Sequence, residues 1–306
     1  MTNNMNPLVS VVIPTYNHAH LLKDALHSVI CQTYTNIEII VIDNNSIDDT
    51  DEVILSFLDP RIIFKKINNN GIIAASRNMG ILTAKGDYIA FLDSDDIWHN
   101  NKIEKCMEKL SLGYDLVCHA ETWLYEEDQK TRKVIYGPES HELFNRLLFE
   151  GNCLSTSAVM VNRKILEDVS LFSEDEKFVT AEDYHLWLKL AKYNVRVGFL
   201  DQALGECRIH DSNNSKDSIK NMMAIKAVFK DYYAKLIKPS LKKRILAWRR
   251  LAIIDYSGAR GLQSNKEHGL ALVMFIRAIV RWPFTLKFYI AFLFNILHLK
   301  LRIKFY

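Results

Sequence analysis

The sequence predicts an α/β protein in which a mostly parallel sheet is flanked by helices, followed by a helical C-terminal region. Short apolar runs typical of buried strands alternate with helix-forming segments over residues 9–96, and this β-α-β-α-β order favours parallel strands. The charge also changes along the chain. Residues 1–215 contain 20 Lys and Arg against 32 Asp and Glu, whereas residues 216–306 contain 19 against 4. We therefore expect an α/β domain at 1–215 and a basic helical region at 216–306.

Local patterns predict the strands and helices in chain order. The strands are the apolar runs at residues 9–13, 37–42, 62–64 and 88–92. After the first strand, apolar residues recur with the period of a helix at Leu22, Ala25, Leu26, Val29 and Ile30. A segment rich in Ala and Gly at residues 71–84 predicts the helix before the fourth strand. Right-handed crossovers between parallel strands then place helices on both faces of the sheet.

The composition is that of a globular protein with reduced cysteines. The 306 residues are 49% hydrophobic and 25% charged, which excludes a disordered chain. The five cysteines are widely spaced and form no C-x-x-C pair, which argues against a zinc site or a disulfide scaffold. The first residues lack the basic and apolar regions of a signal peptide, so we expect the α/β domain to stay in the cytoplasm.

The fourth apolar run ends in three carboxylates, Asp93, Asp95 and Asp96. A buried strand would place them at its carboxyl end, where open α/β sheets bind ligands. Unpaired charge at such a place needs compensation, and Mg²⁺ or Mn²⁺ carrying a diphosphate would supply it. The alternative is a solvated acidic turn that caps the following helix.

The C-terminal region is basic and apolar. Residues 269–306 contain no acidic side chain, and their basic residues are Arg277, Arg281, Lys287, Lys300, Arg302 and Lys304. The longest uncharged run, residues 288–299, is shorter than the about 20 residues that a transmembrane helix needs. The pattern favours helices that lie on an anionic membrane surface. A buried core helix and an oligomer interface are the alternatives, and nucleic acid is disfavoured because the basic residues interrupt long apolar runs.

Five sequence blocks in this order resemble glycosyltransferase family 2. They are VSVVIPTYN (9–17), EIIVIDNNSIDDT (38–50), NNGIIAASRNMGI (69–81), GDYIAFLDSDD (86–96) and AEDYHLWLKLA (181–191). The resemblance covers about residues 8–215. It implies a GT-A fold, which is a Rossmann-like sheet flanked by helices, a nucleotide-diphosphate sugar donor, Mn²⁺ or Mg²⁺, and inversion at the anomeric carbon.

The first block resembles the part of the family that binds the nucleobase. It implies that Pro14, Thr15, Tyr16 and Asn17 contact the nucleotide, with the Tyr16 ring stacked on the base, although a packing tyrosine would show the same pattern. A hydride-transfer dinucleotide enzyme is disfavoured, because the segment lacks the Gly-x-Gly turn that such enzymes use to approach a pyrophosphate.

The second and third blocks add further nucleotide contacts by resemblance. Asp43 matches the residue that accepts a hydrogen bond from the uracil imide, although a turn cap is the alternative. Asn44 and Asn45 stand where the family often has Asp-Gly, and Asn45 is placed in the binding set although Asn adopts positive φ less freely than Gly. Arg77 offers paired donors to the base or the diphosphate, and a surface salt bridge is the alternative.

In the acidic block, the resemblance places Asp93 and Ser94 at the nucleotide and Asp95 at the metal. Asp93 is also a candidate metal ligand, and Asp96 has no assigned role. Further along, the segment Arg208-Ile-His210 resembles a short motif in which the arginine contacts the diphosphate and the histidine completes the metal shell. A structural histidine is the alternative for His210.

Two carboxylates begin the helix of the last block, Glu182 and Asp183. An inverting transfer needs one carboxylate that takes the proton from the acceptor hydroxyl. The resemblance implies that Asp183 is this base and that Glu182 contacts the acceptor or substitutes for the base. A helix N-terminal cap is the alternative, because the helix dipole favours negative charge there.

The function predicted by these motifs is an inverting, metal-dependent transfer of a sugar from a UDP-sugar to a hydroxyl of a lipid-linked glycan. The expected setting is O-antigen or capsule synthesis, with the protein peripheral to the cytoplasmic face of the inner membrane and a homo-oligomer through its C-terminal helices as an option. A polyprenyl-phosphate glycosyltransferase is an alternative. A sugar nucleotidyltransferase is disfavoured because residues 14–17 lack a Gly-rich basic loop, and a non-catalytic binding module because Asp95 and Asp183 are present.

Overall fold

The structure is a computed structural model that describes residues 6–210 and 217–298. It divides into two compact units. The first contains Met1–Leu143, Cys153–Glu174 and Lys189–His210, and the second contains Phe144–Asn152, Asp175–Leu188 and Asp211–Tyr306. The domain boundary predicted between residues 215 and 216 lies outside the described residues.

The described strands all belong to the first unit and form one nine-stranded sheet. They are β1 Val9–Thr15, β2 Ile37–Asp43, β3 Ile62–Lys66, β4 Tyr88–Phe91, β5 Ile97–Trp98, β6 Leu116–Tyr125, β7 Lys130–Val134, β8 Val159–Asn162 and β9 Val197–Ile209. Their order is β3-β2-β1-β4-β8-β6-β9-β5, and β7 pairs with β6. The four strands predicted from the sequence are therefore confirmed, and they are consecutive in the strand order.

The sheet is mixed, which corrects the prediction of a mostly parallel sheet. Strands β3, β2, β1 and β4 are parallel, but β8 lies antiparallel to both β4 and β6, and β5 and β7 are also antiparallel to their partners. The β-α-β pattern used for the prediction covers only the first four strands. Beyond them β6 turns directly into β7, and such a short connection can join only antiparallel strands.

The helices of the first unit cover the sheet. They are α1 Ala19–Ile30, α2 Thr50–Ser56, α3 Ile73–Thr83, α4 Lys102–Leu110 and α6 Arg163–Asp168. As predicted, α1 buries Leu22, Ala25, Leu26 and Val29 in the core that includes the alternate residues of β1 and β2. Helix α3 lies very close to β1, because a Cβ at Gly80 would come within 2.3 Å of the Val12 side chain. The small residues of this segment therefore let the helix pack directly on the strand.

The second unit is helical, as predicted for the C-terminal region. Its elements are α5 Leu143–Glu150, a short 3₁₀ helix Glu176–Phe178, α7 Glu182–Lys192, α8 Ser218–Ala234, α9 Leu241–Ser264, α10 His268–Arg281 and α11 Leu286–Ile296, of which Leu143 and the end of α7 from Lys189 are assigned to the first unit. Helices α9, α10 and α11 share one apolar core, in which Tyr256 stacks on Phe288 with ring centres 4.7 Å apart. No described helix is both long and apolar enough to cross a membrane.

A buried carboxylate connects three helices of this unit. Asp255 of α9 is fully buried, and its two oxygens accept hydrogen bonds from Lys226 of α8, at 2.8 Å, and from Arg281 of α10. A buried charge that is paired on both oxygens is tolerated, whereas removal of one partner leaves the others uncompensated. The orientation of α8 and α10 on α9 therefore depends on Asp255.

We expect Asp255→Ala to lower the free energy of unfolding by about 3 kcal/mol, because it leaves Lys226 and Arg281 without their shared anion. Urea denaturation followed by far-UV circular dichroism measures this loss. Lys235→Ala is the control, since it breaks the i,i+4 pair of the exposed Lys235 with the half-buried Asp231 and should cost about 0.5 kcal/mol. Equal effects of the two substitutions would contradict the assignment.

Candidate active site

Three parallel strands of the first unit end in polar side chains at the same edge of the sheet. Thr15 ends β1, Asp43 ends β2 and Lys66 ends β3, and the strand register places Asp43 directly beside each of the other two. Strand β4 ends at Phe91, just before the acidic segment 93–96. Open α/β sheets bind ligands outside the carboxyl ends of their strands. Most of the residues predicted to bind the donor therefore lie along one edge.

Asp43 is fully buried and caps a turn. Its carboxylate accepts hydrogen bonds from the Ser46 backbone N–H, at 3.1 Å to each oxygen, and from Ser46 Oγ, at 2.5 Å. The Lys66 ammonium lies 3.8 Å from the carboxylate. The turn-cap alternative is thus observed, but a carboxylate has about four lone-pair positions. Capping does not prevent Asp43 from accepting a further hydrogen bond.

The loop after β1 is joined to this turn by Asn17. The Asn17 backbone N–H donates to Ser46 Oγ at 2.8 Å, and its side-chain carbonyl accepts from the Ile47 N–H at 2.9 Å. Asn17 and Asn45 both adopt the left-handed conformation, with φ of 51° and 54°. The turn therefore forms with Asn45 in the place of glycine, since Asn tolerates this region better than most residues.

The side chains before Asn17 differ in exposure. Pro14 is buried within β1, and Thr15 is buried with a hydroxyl that has no hydrogen-bond partner among the described residues. Tyr16 is 54% exposed. A packing role for Tyr16 is therefore not observed, and its ring is accessible to a planar ligand.

Arg77 of α3 is paired inside the protein. Its Nη2 donates to Asp93 Oδ1 at 2.8 Å, and its guanidinium lies over the Phe172 ring, 5.6 Å from the centroid. Only 3% of Arg77 is exposed, so the ion pair is not the surface salt bridge considered from the sequence. The Asp93 backbone N–H in turn donates to Ser157 Oγ at 3.1 Å. These contacts hold the start of the acidic segment in place.

Asp95 and His210 form a close pair. His210 Nε2 and Asp95 Oδ2 are 3.0 Å apart, and the His18 ring meets the His210 ring edge-on at 6.1 Å. His18 Nδ1 is also 3.2 Å from Ser94 Oγ. Burial raises the pKa of the Asp95 carboxyl and the Asp93 carboxylate raises it further, whereas His18 and His210 act in the opposite direction.

Asp96 has a structural role that the sequence did not assign. It is buried, Ser157 Oγ donates to one of its oxygens at 2.6 Å, and the Arg208 backbone N–H donates to the other at 3.2 Å. Burial raises the pKa of this carboxyl well above its usual value. Arg208 lies at the end of β9, and its guanidinium donates to Asp24 of α1 at 2.8 Å. Asp96 thus joins the acidic segment to the strand that leads to His210.

The donor atoms of Asp95 and His210 fit a divalent metal that also binds phosphate. In the part of the chain that the structure describes, no group of three or more His, Cys, Asp or Glu side chains is arranged to hold a metal ion alone. Mg²⁺ and similar ions, however, are often held by one or two protein ligands and completed by substrate phosphates. Adjacent ligands of an octahedral ion lie about 3.0 Å apart, which is the separation of Asp95 Oδ2 and His210 Nε2.

Glu182 and Asp183 belong to the second unit, where they form the first turn of α7. Glu182 is buried and Asp183 is half-buried. The Asn152 side-chain amide donates to Asp183 Oδ2 at 3.3 Å. The buried Tyr184 donates its O–H to the Leu147 carbonyl at 2.7 Å, which fixes the start of α7 against α5. Both carboxylates therefore stand at a helix N-terminus, as the sequence predicts, where the dipole favours negative charge.

Sequence reasoning missed three residues that lie among the predicted ones. His18 follows the first block directly, Lys66 is the last residue of β3, and Ser157 donates to Asp96 and accepts from the Asp93 N–H. The sequence could have indicated two of them, because His18 directly follows the first block and Lys66 lies just after the strand predicted at residues 62–64. Ser157 had no such signal, because β8 brings it to the acidic segment from a distant part of the chain.

The profile of the family described as Glycosyl transferase family 2 matches residues 10–170, more than half of the chain. The chain belongs to glycosyl transferase family 2. This glycosyltransferase is 32% identical over 222 residues to WfgD of Escherichia coli, whose name is UDP-Glc:alpha-D-GlcNAc-diphosphoundecaprenol beta-1,3-glucosyltransferase. The match covers 70% of this chain and 82% of WfgD.

Two solved structures resemble the glycosyltransferase in fold. S. aureus TarS 1–349 in complex with UDP-GlcNAc has a TM-score of 0.59 at 16% identity, and the match covers 96% of this chain and 93% of that one. The mannosyltransferase PcManGT of Pyrobaculum calidifontis, in complex with GDP-Man and Mn²⁺, has a TM-score of 0.61 at 16% identity, covering 96% and 85%. The fold is GT-A-like, which confirms the α/β GT-A fold predicted from the five blocks, and the family profile confirms the predicted family.

Proposed function

We propose that this glycosyltransferase is an inverting, metal-dependent enzyme that transfers a sugar from a UDP-sugar to a hydroxyl of a lipid-linked glycan during cell-surface polysaccharide synthesis. The observation that carries the proposal is the close Asp95–His210 pair in the same unit as the strand-end residues Thr15 and Asp43. The name of WfgD, which includes a UDP-sugar and a diphosphoundecaprenol acceptor, supports both substrate classes. Residues 1–215 would be the catalytic domain.

In this proposal the nucleotide base lies against Tyr16 and Asp43, and the diphosphate lies near Asp95 and His210. Asp95 and His210 would hold Mn²⁺ or Mg²⁺, which neutralises the charge that develops on the leaving diphosphate. The Mn²⁺ in the complex of PcManGT supports a metal in this fold. Arg77 would act through Asp93, because its guanidinium already holds that carboxylate at 2.8 Å. Arg208, whose Nη2 donates to Asp24, would contact the diphosphate with its guanidinium.

Asp183 is proposed as the general base. The acceptor oxygen forms a bond to the anomeric carbon while the bond from that carbon to the diphosphate oxygen breaks, with its electron pair leaving on the diphosphate. The Asp183 carboxylate takes the proton that the acceptor hydroxyl loses. Attack from the side opposite the leaving group inverts the anomeric centre in one step, so no covalent enzyme intermediate is needed. Asn152, which donates to Asp183 Oδ2, would fix the orientation of the base.

The outer face of α10 and α11 supports contact with a membrane. One face of these helices packs in the core of the second unit, but the other exposes large apolar side chains. They are Leu270, Val273, Ile276 and Val280 of α10, Phe284 of the connection between the helices, and Leu286, Leu293 and Ile296 of α11. Arg277 is exposed beside them, and residues 269–306 contain no acidic side chain. Such a surface fits the anionic, cytoplasmic face of the inner membrane, where a polyprenyl-diphosphate acceptor lies. The predicted basic residues Lys300, Arg302 and Lys304 lie outside the described residues.

If Asp95 and His210 hold the metal, Asp95→Asn and His210→Gln should each remove the dependence of UDP binding on Mn²⁺. Isothermal titration of UDP with and without Mn²⁺ measures this, and EDTA should abolish transfer by the unmodified enzyme. His20→Gln, at an exposed histidine of α1, is the control. Turnover that persists in full with EDTA would exclude the metal proposal.

If Asp183 is the base, Asp183→Asn should lower kcat by about 10² to 10⁴ while the Kd for the UDP-sugar stays nearly unchanged, because proton removal acts only in the transition state. Steady-state kinetics and donor titration separate the two effects. Glu182→Gln should reduce kcat less. A parallel loss of donor affinity in Asp183→Asn would instead indicate a structural role in α7.

The membrane proposal predicts that Phe284→Glu with Leu293→Glu weakens binding to anionic vesicles, because charge is placed on the face that would enter the lipid. Co-sedimentation with anionic and neutral vesicles measures the effect, and Leu82→Glu, at an equally exposed leucine of α3, is the control. These surface substitutions test the lipid-binding face alone, whereas deletion of the chain from residue 269 would also remove part of the core of the second unit. Failure to bind anionic vesicles, or a dimer that the double substitution dissociates, would refute it.

A further inference from the structure

Three side chains with different hydrogen-bonding roles form a row at the ends of neighbouring strands. The register places Thr15, Asp43 and Lys66 next to one another across β1, β2 and β3. Parallel strands lie about 4.8 Å apart, so the ends of three neighbours span about the width of one small planar ligand. The exposed ring of Tyr16 follows this row directly. A row of polar groups beside an accessible aromatic ring is suited to a nucleobase.

The order of donors and acceptors in this row is fixed by its residues. Asp43 is an acceptor, and its carboxylate is held by Ser46 with Lys66 at 3.8 Å. Lys66 is a donor with three N–H groups, of which one is engaged by Asp51 at 2.6 Å. The nearby carboxylates, Asp51 first, raise the pKa of Lys66, so its ammonium stays charged at neutral pH. The buried Thr15 hydroxyl has no partner among the described residues and can donate.

We infer that Lys66 is a specificity-determining residue that selects the nucleobase of the sugar donor together with Asp43 and Thr15. The inference rests on the proposed function, which places a nucleotide sugar at this edge of the sheet. Uracil presents a carbonyl, the N3–H and a second carbonyl along one edge, and the row presents the complementary donor, acceptor and donor. Asp43 accepts the N3–H, Lys66 donates to the C4 carbonyl, and Thr15 donates to the C2 carbonyl.

Cytosine is rejected by the same two charged groups. Its unprotonated N3 faces the Asp43 carboxylate, which is also an acceptor, and its amino group faces the Lys66 ammonium, which is also a donor. Each mismatch leaves a buried or charged polar group without a partner, which costs more than a missing contact. Adenine has the same arrangement of a ring acceptor beside an amino group. Guanine carries an N–H beside a carbonyl, so Lys66 discriminates against cytosine and adenine and not against all purines.

Lys65 provides a matched control within the same strand. Both lysines are exposed residues of β3, but neighbouring residues of a strand point to opposite faces. Only Lys66 is paired with Asp43 in the register and lies within 4.0 Å of its carboxylate, at 3.8 Å. A general effect of positive charge near the diphosphate would therefore appear in both lysine variants. A specific effect on the base would appear only at Lys66.

Titration of the full-length protein with UDP and with CDP, both with Mn²⁺, tests the inference. We expect the unmodified protein to bind UDP at least 10²-fold more tightly than CDP. Lys66→Met should weaken UDP about tenfold, by the loss of one charge-assisted hydrogen bond, and leave CDP unchanged or tighter, so that the ratio falls at least tenfold. Lys65→Met should keep the ratio. Circular dichroism checks the fold, and Lys66→Gln should also lower the ratio if Lys66→Met proves unstable.

The outcomes separate this inference from the proposed function. Equal weakening of UDP and CDP by Lys66→Met would overturn the inference, because it would show that Lys66 only supports the Asp43 turn. No effect of Lys66→Met on either nucleotide would also leave the ratio of UDP to CDP affinity unchanged and would overturn the inference as well. If the unmodified protein binds neither nucleotide, the proposed donor class fails, whereas UDP binding with no role for Lys66 leaves that class intact.

Discussion

The candidate active site depends on one constraint, which is that charges at the end of a buried sheet must be compensated. Strands β2 and β4 are buried and largely apolar, yet Asp43 is the last residue of β2 and Asp93, Asp95 and Asp96 follow the end of β4. Asp43 is compensated by Ser46 and Lys66, Asp93 by Arg77, Asp95 by His210, and Asp96 by Ser157 and the Arg208 N–H. Because an unpaired buried charge is costly, these contacts determine how the connecting loops run.

The same contacts explain why structural and functional roles are not exclusive alternatives at this edge. Asp43 caps its own turn and still has lone pairs for a ligand. The His210–Asp95 contact satisfies both side chains and also brings an oxygen and a nitrogen to the separation of two neighbouring metal ligands. The ion pair of Arg77 with Asp93 fixes the position of a carboxylate that a ligand can contact. A network of satisfied polar groups is rigid, and rigidity favours a site that recognises one geometry.

The second unit follows the same rule in a helical setting. Asp255 is buried only because Lys226 and Arg281 both reach it, and these two side chains come from the helices on either side of α9 in the sequence. Around this ion cluster, α9, α10 and α11 pack through Tyr256, Phe275 and Phe288. The large apolar residues on the opposite face of α10 and α11 do not take part in this core. Their exposure needs a reason beyond folding, since contiguous apolar surface is uncommon on a protein without a partner.

The sequence by itself determined the features that depend on local pattern. Apolar runs fixed β1 to β4, the period of Leu22, Ala25, Leu26 and Val29 fixed α1, and the five blocks identified the family. The tertiary structure alone decided the features that depend on distant pairing. In the tertiary structure β8 pairs antiparallel with β4, and the ion pair of Arg77 with Asp93 is buried. Asp96 accepts hydrogen bonds from Ser157 and the Arg208 N–H, and the register places Lys66 beside Asp43. Local periodicity records whether a residue is buried, but strand register and packing decide which distant group it meets.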